Sequence, residues 1–146
     1  MAWVDTLKGQ VVGLDTAPLI YYIETNPTYL SKVDLFFDAL DRGEFTAVTS
    51  MITLLEVLVR PLKQGNTVLA QRYRDSLLNA DHIMTYPLSQ SIAEEAARLR
   101  AIHNLGTADA VQIATVVLAG ASSFLTNDIR LHTVPSLNVL VLDQLK

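Results

Sequence analysis

The sequence predicts an α/β fold in which a central, mostly parallel β-sheet carries helices on both faces. Short apolar runs alternate along the chain with longer segments whose apolar residues recur every three or four positions. Residues that favour turns and helix starts separate these segments, and alternating strands and helices are typical of parallel sheets. The chain has 146 residues, of which 50% are hydrophobic. This length predicts a single domain over residues 1–146.

The first half of the chain predicts two strands and two helices. The run VVGLD at 11–15 is a predicted strand that ends on an acid. Pro18 follows at a position that suits the first turn of a helix. Residues 29–40 have the apolar spacing of an amphipathic helix, and FTAVT at 45–49 predicts the second strand.

The second half predicts the remaining elements in the same alternation. Ser50 is a predicted N-cap of the helix MITLLEVLVR, which we expect to stop at Pro61 because proline disfavours helix in the residue before it. The other predicted elements are a helix at 67–79, a strand at 82–86, a helix at 90–103 after Ser89, a helix from Thr107 to Gly120, and strands at 122–126 and 138–142.

Four acidic residues lie beside apolar segments instead of in charged surroundings. Asp15 ends the first predicted strand, Asp128 follows the strand at 122–126, and Asp109 lies in the first turn of the helix from Thr107. In open α/β sheets, ligands bind beyond the carboxyl ends of the strands. The fourth acid, Glu56, has apolar neighbours in sequence, but helical spacing places it on one stripe with Thr49, Thr53 and Arg60.

Such a group of carboxylates indicates a site for a hard divalent cation. Mg²⁺ and Mn²⁺ prefer oxygen ligands, whereas carboxylates crowded together without a cation raise one another's pKa. Four polar residues flank the acids and are predicted to orient them, or water molecules on the metal: Thr16, Thr107, Thr126 and Asn127.

Each acid taken alone has a purely structural explanation. Asp15 could cap the next helix, Asp109 could complement a helix dipole, Asp128 could form an Asx turn, and Glu56 could pair with Arg60. The four together favour a common site, because none of them lies on an ordinary charged surface.

Composition and missing motifs exclude several classes of function. The formal net charge of −4 does not suggest a protein held on nucleic acid by bulk charge, although bound cations would change the local sign. The sequence has no phosphate loop, no dinucleotide fingerprint and no nucleophile elbow. No apolar stretch reaches the roughly 20 residues of a membrane span, and neither a signal peptide nor a cysteine is present. We therefore expect a cytoplasmic protein with no membrane association.

Three segments resemble, in order and spacing, the motifs of PIN domains, and most closely those of VapC-type toxins from bacterial and archaeal toxin–antitoxin pairs. They are VVGLDTAPLIYYIE, TSMITLLEVLVRP and LGTADAVQIATVVLAGASSFLTND. The resemblance covers nearly the whole chain and implies a PIN-like fold.

The resemblance also implies an activity and the residues that perform it. Asp15, Glu56, Asp109 and Asp128 match the acids with which the family holds Mg²⁺ or Mn²⁺. A metal-activated water then cleaves a phosphodiester bond of RNA, so a metal-dependent endoribonuclease is expected. Asp15 and Asp109 would be the principal ligands. Ala17 stands where the family often has a hydroxyl residue, which removes one supporting hydrogen bond.

Partners also follow from the resemblance. We expect an RNA substrate, a homodimer and a cognate antitoxin protein that covers the acidic groove. The basic residues that follow Glu56 are predicted to contact RNA, with solvated helix charge as an equal alternative: Arg60, Lys63, Arg72 and Arg74.

Two other hypotheses compete with the ribonuclease. The first is a catalytically weak PIN-like module that binds RNA or protein and does not need metal. The second is a phosphoacceptor signalling domain, which ranks last. Such a domain needs adjacent acids near the first strand and a lysine near a later strand end, but here Asp15 stands alone and no lysine lies between Lys63 and Lys146.

Overall fold

A computed structural model describes residues 2–134 and 137–146, and the predicted domain 1–146 also includes Met1, Pro135 and Ser136, which lie outside them. Five strands within the described part form one sheet: β1 (Val11–Leu14), β2 (Thr46–Ser50), β3 (Ile83–Tyr86), β4 (Ser123–Thr126) and β5 (Asn138–Val141). They lie in the order β3-β2-β1-β4-β5, and every neighbouring pair is parallel. The predicted parallel sheet is confirmed.

Six α-helices connect these strands in the described ranges. They are α1 (Thr16–Ile23), α2 (Leu30–Asp41), α3 (Met51–Gln64), α4 (Thr67–Leu78), α5 (Gln90–Ile102) and α6 (Thr107–Leu118). Short 3₁₀ helices occupy Trp3–Leu7, Ile129–Thr133 and Leu142–Gln144. None of the helices in the described part of the chain is long and apolar enough to cross a membrane.

The predicted end of α3 at Pro61 is wrong, because the helix continues to Gln64. Proline removes one backbone donor and crowds the turn before it, but it does not prevent the residues after it from completing a last turn. The helix ends instead at Gly65, whose φ of 66° lies in the left-handed region. The Asn66 N–H then donates to the Pro61 carbonyl at 2.9 Å.

Helices cover both faces of the sheet because successive side chains of a strand point to opposite faces. Ala47 and Leu125 belong to one hydrophobic core, whereas their neighbours Val48 and Phe124 belong to the other. The first core contains side chains from α1, α2, α3 and α4, and the second contains side chains from α5 and α6. The predicted three-layer α/β architecture is therefore confirmed.

Helix α6 packs directly on β1 at Gly13, where no side chain separates them. A Cβ atom at Gly13 would lie 2.8 Å from Cδ1 of Phe124 and 2.9 Å from Cβ of Val116. Both neighbours are fully buried. Residues 110–116 of α6 are all buried, which explains why the sequence from Thr107 to Leu118 is so apolar.

We predict that Gly13→Ala lowers the free energy of unfolding by about 1–3 kcal/mol, because the added methyl group must push apart a packed core. Urea unfolding followed by circular dichroism measures this change. Val11→Ile is the matched control, since it adds one methyl group to the same strand at a half-buried position. Equal stability of Gly13→Ala and the control would contradict the close packing of α6 on β1.

Candidate functional site

The four predicted acids line one pocket at the carboxyl edge of the sheet. Asp15 directly follows β1, and Asp128 follows the neighbouring strand β4 after one residue. Asp109 lies in the first turn of α6, and Glu56 lies midway along α3. All four line a pocket of about 600 Å³. The fold thus brings together side chains that are up to 113 positions apart in the sequence.

The carboxylates share this pocket without converging on one point. Within residues 2–134 and 137–146, no three acidic or histidine side chains lie close enough together to hold one ion. Three of the acids accept hydrogen bonds from residues that line or flank the pocket. Glu56 accepts a hydrogen bond from the Thr16 hydroxyl, and Asp128 accepts hydrogen bonds from Arg130.

Both carboxylate oxygens of Asp15 accept hydrogen bonds. Its Oδ1 accepts a hydrogen bond from the Thr16 N–H at 2.8 Å, so Asp15 does cap α1, and its Oδ2 accepts one from the Thr126 hydroxyl at 2.7 Å. Burial raises the pKa of the Asp15 carboxyl. The two hydrogen bonds oppose this shift, whereas the nearby charges of Asp109 and Glu56 add to it.

Glu56 is exposed, and a hydrogen bond from a residue of α1 orients its carboxylate. The Thr16 hydroxyl donates to its Oε1 at 2.7 Å. The alternative pairing of Glu56 with Arg60 does not form, because Arg60 Nη2 contacts Glu24 Oε1 at 2.6 Å instead. Glu24 also accepts a hydrogen bond from the buried Tyr73 hydroxyl. Arg60 therefore links α3 to the end of α1. Glu56 does not pair with it and lines the pocket.

A buried amide, Gln112, supports this orientation and was missed by the sequence reasoning. Its Nε2 donates to the hydroxyl of Thr53 at 2.5 Å and to that of Thr16 at 3.2 Å. The Thr53 hydroxyl lies 2.9 Å from that of Thr49. The available signal was a lone amide among apolar residues of α6, three positions after Asp109 and hence on the same helix face.

The charge of Asp128 is balanced by Arg130, which the sequence reasoning also missed. Arg130 Nε lies 2.9 Å from Oδ1 and 3.2 Å from Oδ2 of Asp128, and Nη2 also contacts Oδ2. The Arg130 N–H donates to the same carboxylate at 3.0 Å, so Asp128 also caps the helix Ile129–Thr133. The side-chain hydrogen bonds of Arg130 lower the pKa of Asp128, whereas burial and then the charge of Asp128 raise the pKa of Asp109.

The predicted supporting residues have different surroundings. Thr16 and Thr126 contact the acids directly, as described above. Asn127 lines the pocket and donates to the Tyr21 hydroxyl at 3.3 Å. Thr107 is not among the described residues that line the pocket, and its hydroxyl accepts a hydrogen bond from Arg100 Nη1 at 2.9 Å.

The four basic residues predicted to contact RNA lie on α3 and α4. Arg60, Lys63 and Arg72 are exposed and Arg74 is half-buried. None of them is among the described residues that line the acidic pocket. The basic side chain found there is Arg130. Closeness to Glu56 in sequence does not bring the four residues to the described lining, because α3 carries successive residues around its circumference and Arg72 and Arg74 lie on α4.

Three solved structures illustrate the similarity in fold. VapBC2 from Rickettsia felis, bound to a DNA fragment from its promoter, matches with a TM-score of 0.69 and 18% identity over 90% of this chain and 98% of that chain. A toxin–antitoxin complex from Klebsiella pneumoniae matches with a TM-score of 0.66 and 24% identity over 90% and 97%. VapC20 of Mycobacterium tuberculosis, described as a sarcin–ricin loop cleaving toxin, matches with a TM-score of 0.65 and 12% identity over 77% and 86%.

Sequence comparison identifies the family itself. No curated protein matches the chain in sequence. The family model for the PIN domain matches residues 12–137, which run from β1 through β4 to the residue before β5 and include all four acids of the pocket. The match agrees with the similar solved structures and confirms the resemblance found in the sequence motifs. The chain belongs to the PIN domain family.

Proposed function

We propose that this protein is a metal-dependent endoribonuclease, the toxin of a VapBC-type toxin–antitoxin pair. The observation that carries the proposal is the pocket that four acids from separate elements line at the carboxyl edge of the sheet. The PIN domain match and the fold shared with VapC20, described as a sarcin–ricin loop cleaving toxin, support a nuclease.

The chemistry of the pocket fits a hard divalent cation such as Mg²⁺ or Mn²⁺. Its charged donors are carboxylate oxygens, which these ions prefer. Each Asp15 oxygen accepts one hydrogen bond and keeps a second lone pair for a ligand. Burial and neighbouring carboxylates destabilise the charged forms of Asp15 and Asp109 and so raise their pKa values. A bound cation would stabilise these charged carboxylates. We propose Asp15 and Asp109 as the principal ligands, with Asp128 and Glu56 completing the set.

The residues of the chain would position the reacting groups as follows. A bound divalent cation supplies Lewis acidity to the phosphodiester and to water. Thr126 and the Thr16 N–H hold the Asp15 carboxylate in place, and the Thr16 hydroxyl holds Glu56 toward the pocket. Glu56 would accept a hydrogen bond from the attacking water and orient it toward phosphorus. We assign supporting roles to Asn127, which lines the pocket, and to Thr107, which begins the helix that carries Asp109.

RNA and protein partners complete the proposal. We assign contacts with the RNA backbone outside the pocket to Arg60, Lys63, Arg72 and Arg74, because phosphate contacts are made by basic side chains. A homodimer and a cognate antitoxin are proposed on the fold shared with a toxin–antitoxin complex. Helix α3 exposes an apolar stripe that suits such contacts: Leu55, Val59 and Leu62.

One observation favours a second candidate, a PIN-like module that binds RNA or protein without cleaving. No three acids of the described ranges converge on one point. The two candidates differ in their response to metal, since only the ribonuclease requires the pocket to bind a cation. The experiments below separate them.

We predict that the wild type cleaves RNA in the presence of Mg²⁺ or Mn²⁺ and that Asp15→Asn and Asp109→Asn each reduce the rate at least about 100-fold. Each substitution removes a charged ligand while preserving side-chain size. Initial rates on a labelled RNA measure the effect. Asp38→Asn, an exposed position on α2, is the matched control and should retain the wild-type rate. Equal rates for all four proteins would reject the acidic site.

We also predict that Mn²⁺ at about ten times its dissociation constant raises the melting temperature of the wild type by about 3–6 °C. A ligand that binds only the folded chain stabilises it by mass action. Differential scanning fluorimetry measures the shift. Asp15→Asn should lose it and Asp38→Asn should retain it. A wild type that melts at the same temperature with and without Mn²⁺ would favour the binding module.

Stability of the metal-free chain should depend on the protonation of Asp15. Its folded-state pKa is raised above the ordinary value of 3.8, so the folded state binds this proton more tightly than the unfolded state does. The resulting stabilisation grows as pH falls through the raised pKa and is complete below the unfolded value. Relative to Asp15→Asn, the wild type should therefore gain free energy of unfolding on acidification. Urea unfolding in chelator at several pH values tests this, and a pH-independent difference would contradict it.

A further inference from the structure

Arg130 is the basic side chain of an otherwise acidic pocket, among the described residues that line it. Its guanidinium contacts Asp128 through Nε and Nη2, and the side chain remains 80% exposed. Four carboxylates repel a phosphodiester, so an RNA strand entering this pocket needs positive charge at its edge. Arg130 is a cation of the chain that already lies at this edge.

The position of Arg130 also suits a strand that passes through the pocket. Arg130 and Asp109 line a second pocket of about 160 Å³, whose wall includes residues 103–106 between α5 and α6. Both pockets share these two side chains. A strand with one phosphate at the carboxylates would therefore pass Arg130 on its way to the second pocket.

The ion pair with Asp128 can be exchanged for another partner. Ion pairs between exposed side chains contribute little net free energy because water already stabilises both charges. The guanidinium fork that matches a carboxylate matches a phosphate equally well. A divalent cation on Asp128 would both occupy the carboxylate and repel the guanidinium.

We propose that Arg130 is a phosphate-binding residue with two successive partners. In the metal-free chain it pairs with Asp128, and when a divalent cation takes Asp128 it binds the RNA backbone phosphate next to the scissile one. The proposal rests on the proposed ribonuclease function and adds to it a contact with the RNA backbone that none of the four acids makes. Arg130 thus balances the charge of Asp128 before a cation binds and contacts the substrate afterwards.

The experiment compares Arg130→Gln and Arg130→Lys with Arg98→Gln in the full chain. Arg98 is the matched control because it makes the same kind of exposed pair with Glu95, through Nε at 3.0 Å and 3.1 Å, on α5. Isothermal titration calorimetry without RNA measures Mn²⁺ affinity. Fluorescence anisotropy then measures the binding of a short labelled single-stranded RNA of mixed sequence over a range of salt concentrations. This second measurement uses Mn²⁺ and a Glu56→Gln background, in which cleavage is slowed.

Arg130→Gln should bind Mn²⁺ about threefold more tightly than the Arg98→Gln control, because no guanidinium must be displaced. The slope of log K for RNA against log salt should be smaller by about 0.7, the value of one lost phosphate contact on a single strand. Arg130→Lys keeps the charge and should retain the slope. If Arg130→Gln matches Arg98→Gln in either measurement, the proposal is overturned.

Failure of this inference is distinguishable from failure of the ribonuclease assignment. Wild-type chain that binds Mn²⁺ and cleaves RNA, with Arg130→Gln indistinguishable from the control, rejects the role of Arg130 and leaves the assignment standing. Absence of Mn²⁺ binding by the wild type and every variant rejects both.

Discussion

The close packing of α6 on β1 is the constraint on which the rest of the acidic site depends. Gly13 allows it, since any Cβ there would meet Val116 and Phe124 at less than 3 Å. This packing fixes the start of α6 against the carboxyl ends of β1 and β4, where Asp109 can face Asp15 across the same pocket. A helix held farther from the sheet would separate the two acids proposed as principal ligands.

The same helix connects the buried core to the acidic pocket through one amide. The Gln112 amide donates hydrogen bonds to both Thr53 and Thr16, so it contacts α3 and α1 at the same time. Thr16 in turn holds Glu56. Buried polar groups must be satisfied, and a network that satisfies all of its members permits few alternative arrangements. The orientation of an exposed carboxylate is thereby set by a residue that is 1% exposed.

Electrostatics in the pocket is a balance between crowded acids and their nearest donors. Burial and like charge raise the pKa values of Asp15 and Asp109, whereas Arg130 lowers that of Asp128. Two of the structural explanations considered for single acids are correct: Asp15 caps α1, and Asp128 accepts a hydrogen bond from the Arg130 N–H two residues later, as in an Asx turn. Both are compatible with a common site. A capping carboxylate retains lone pairs for a second ligand, so one residue can serve both purposes.

The sequence by itself determined the alternation of strands and helices and the two acids that follow strands, Asp15 and Asp128, because hydrophobic period and residues at strand ends are local signals. The PIN-like fold followed from the resemblance of three sequence motifs to that family. The sequence pattern misplaced the end of α3. The helix continues past Pro61 to Gln64 and ends at Gly65, whose backbone adopts the left-handed conformation. Only the tertiary structure decided that Arg60 pairs with Glu24, that Gln112 reaches Thr16, and that Arg130 lies in the pocket. These contacts depend on how α1, α3 and α6 approach one another across the sheet, and no local spacing encodes that approach.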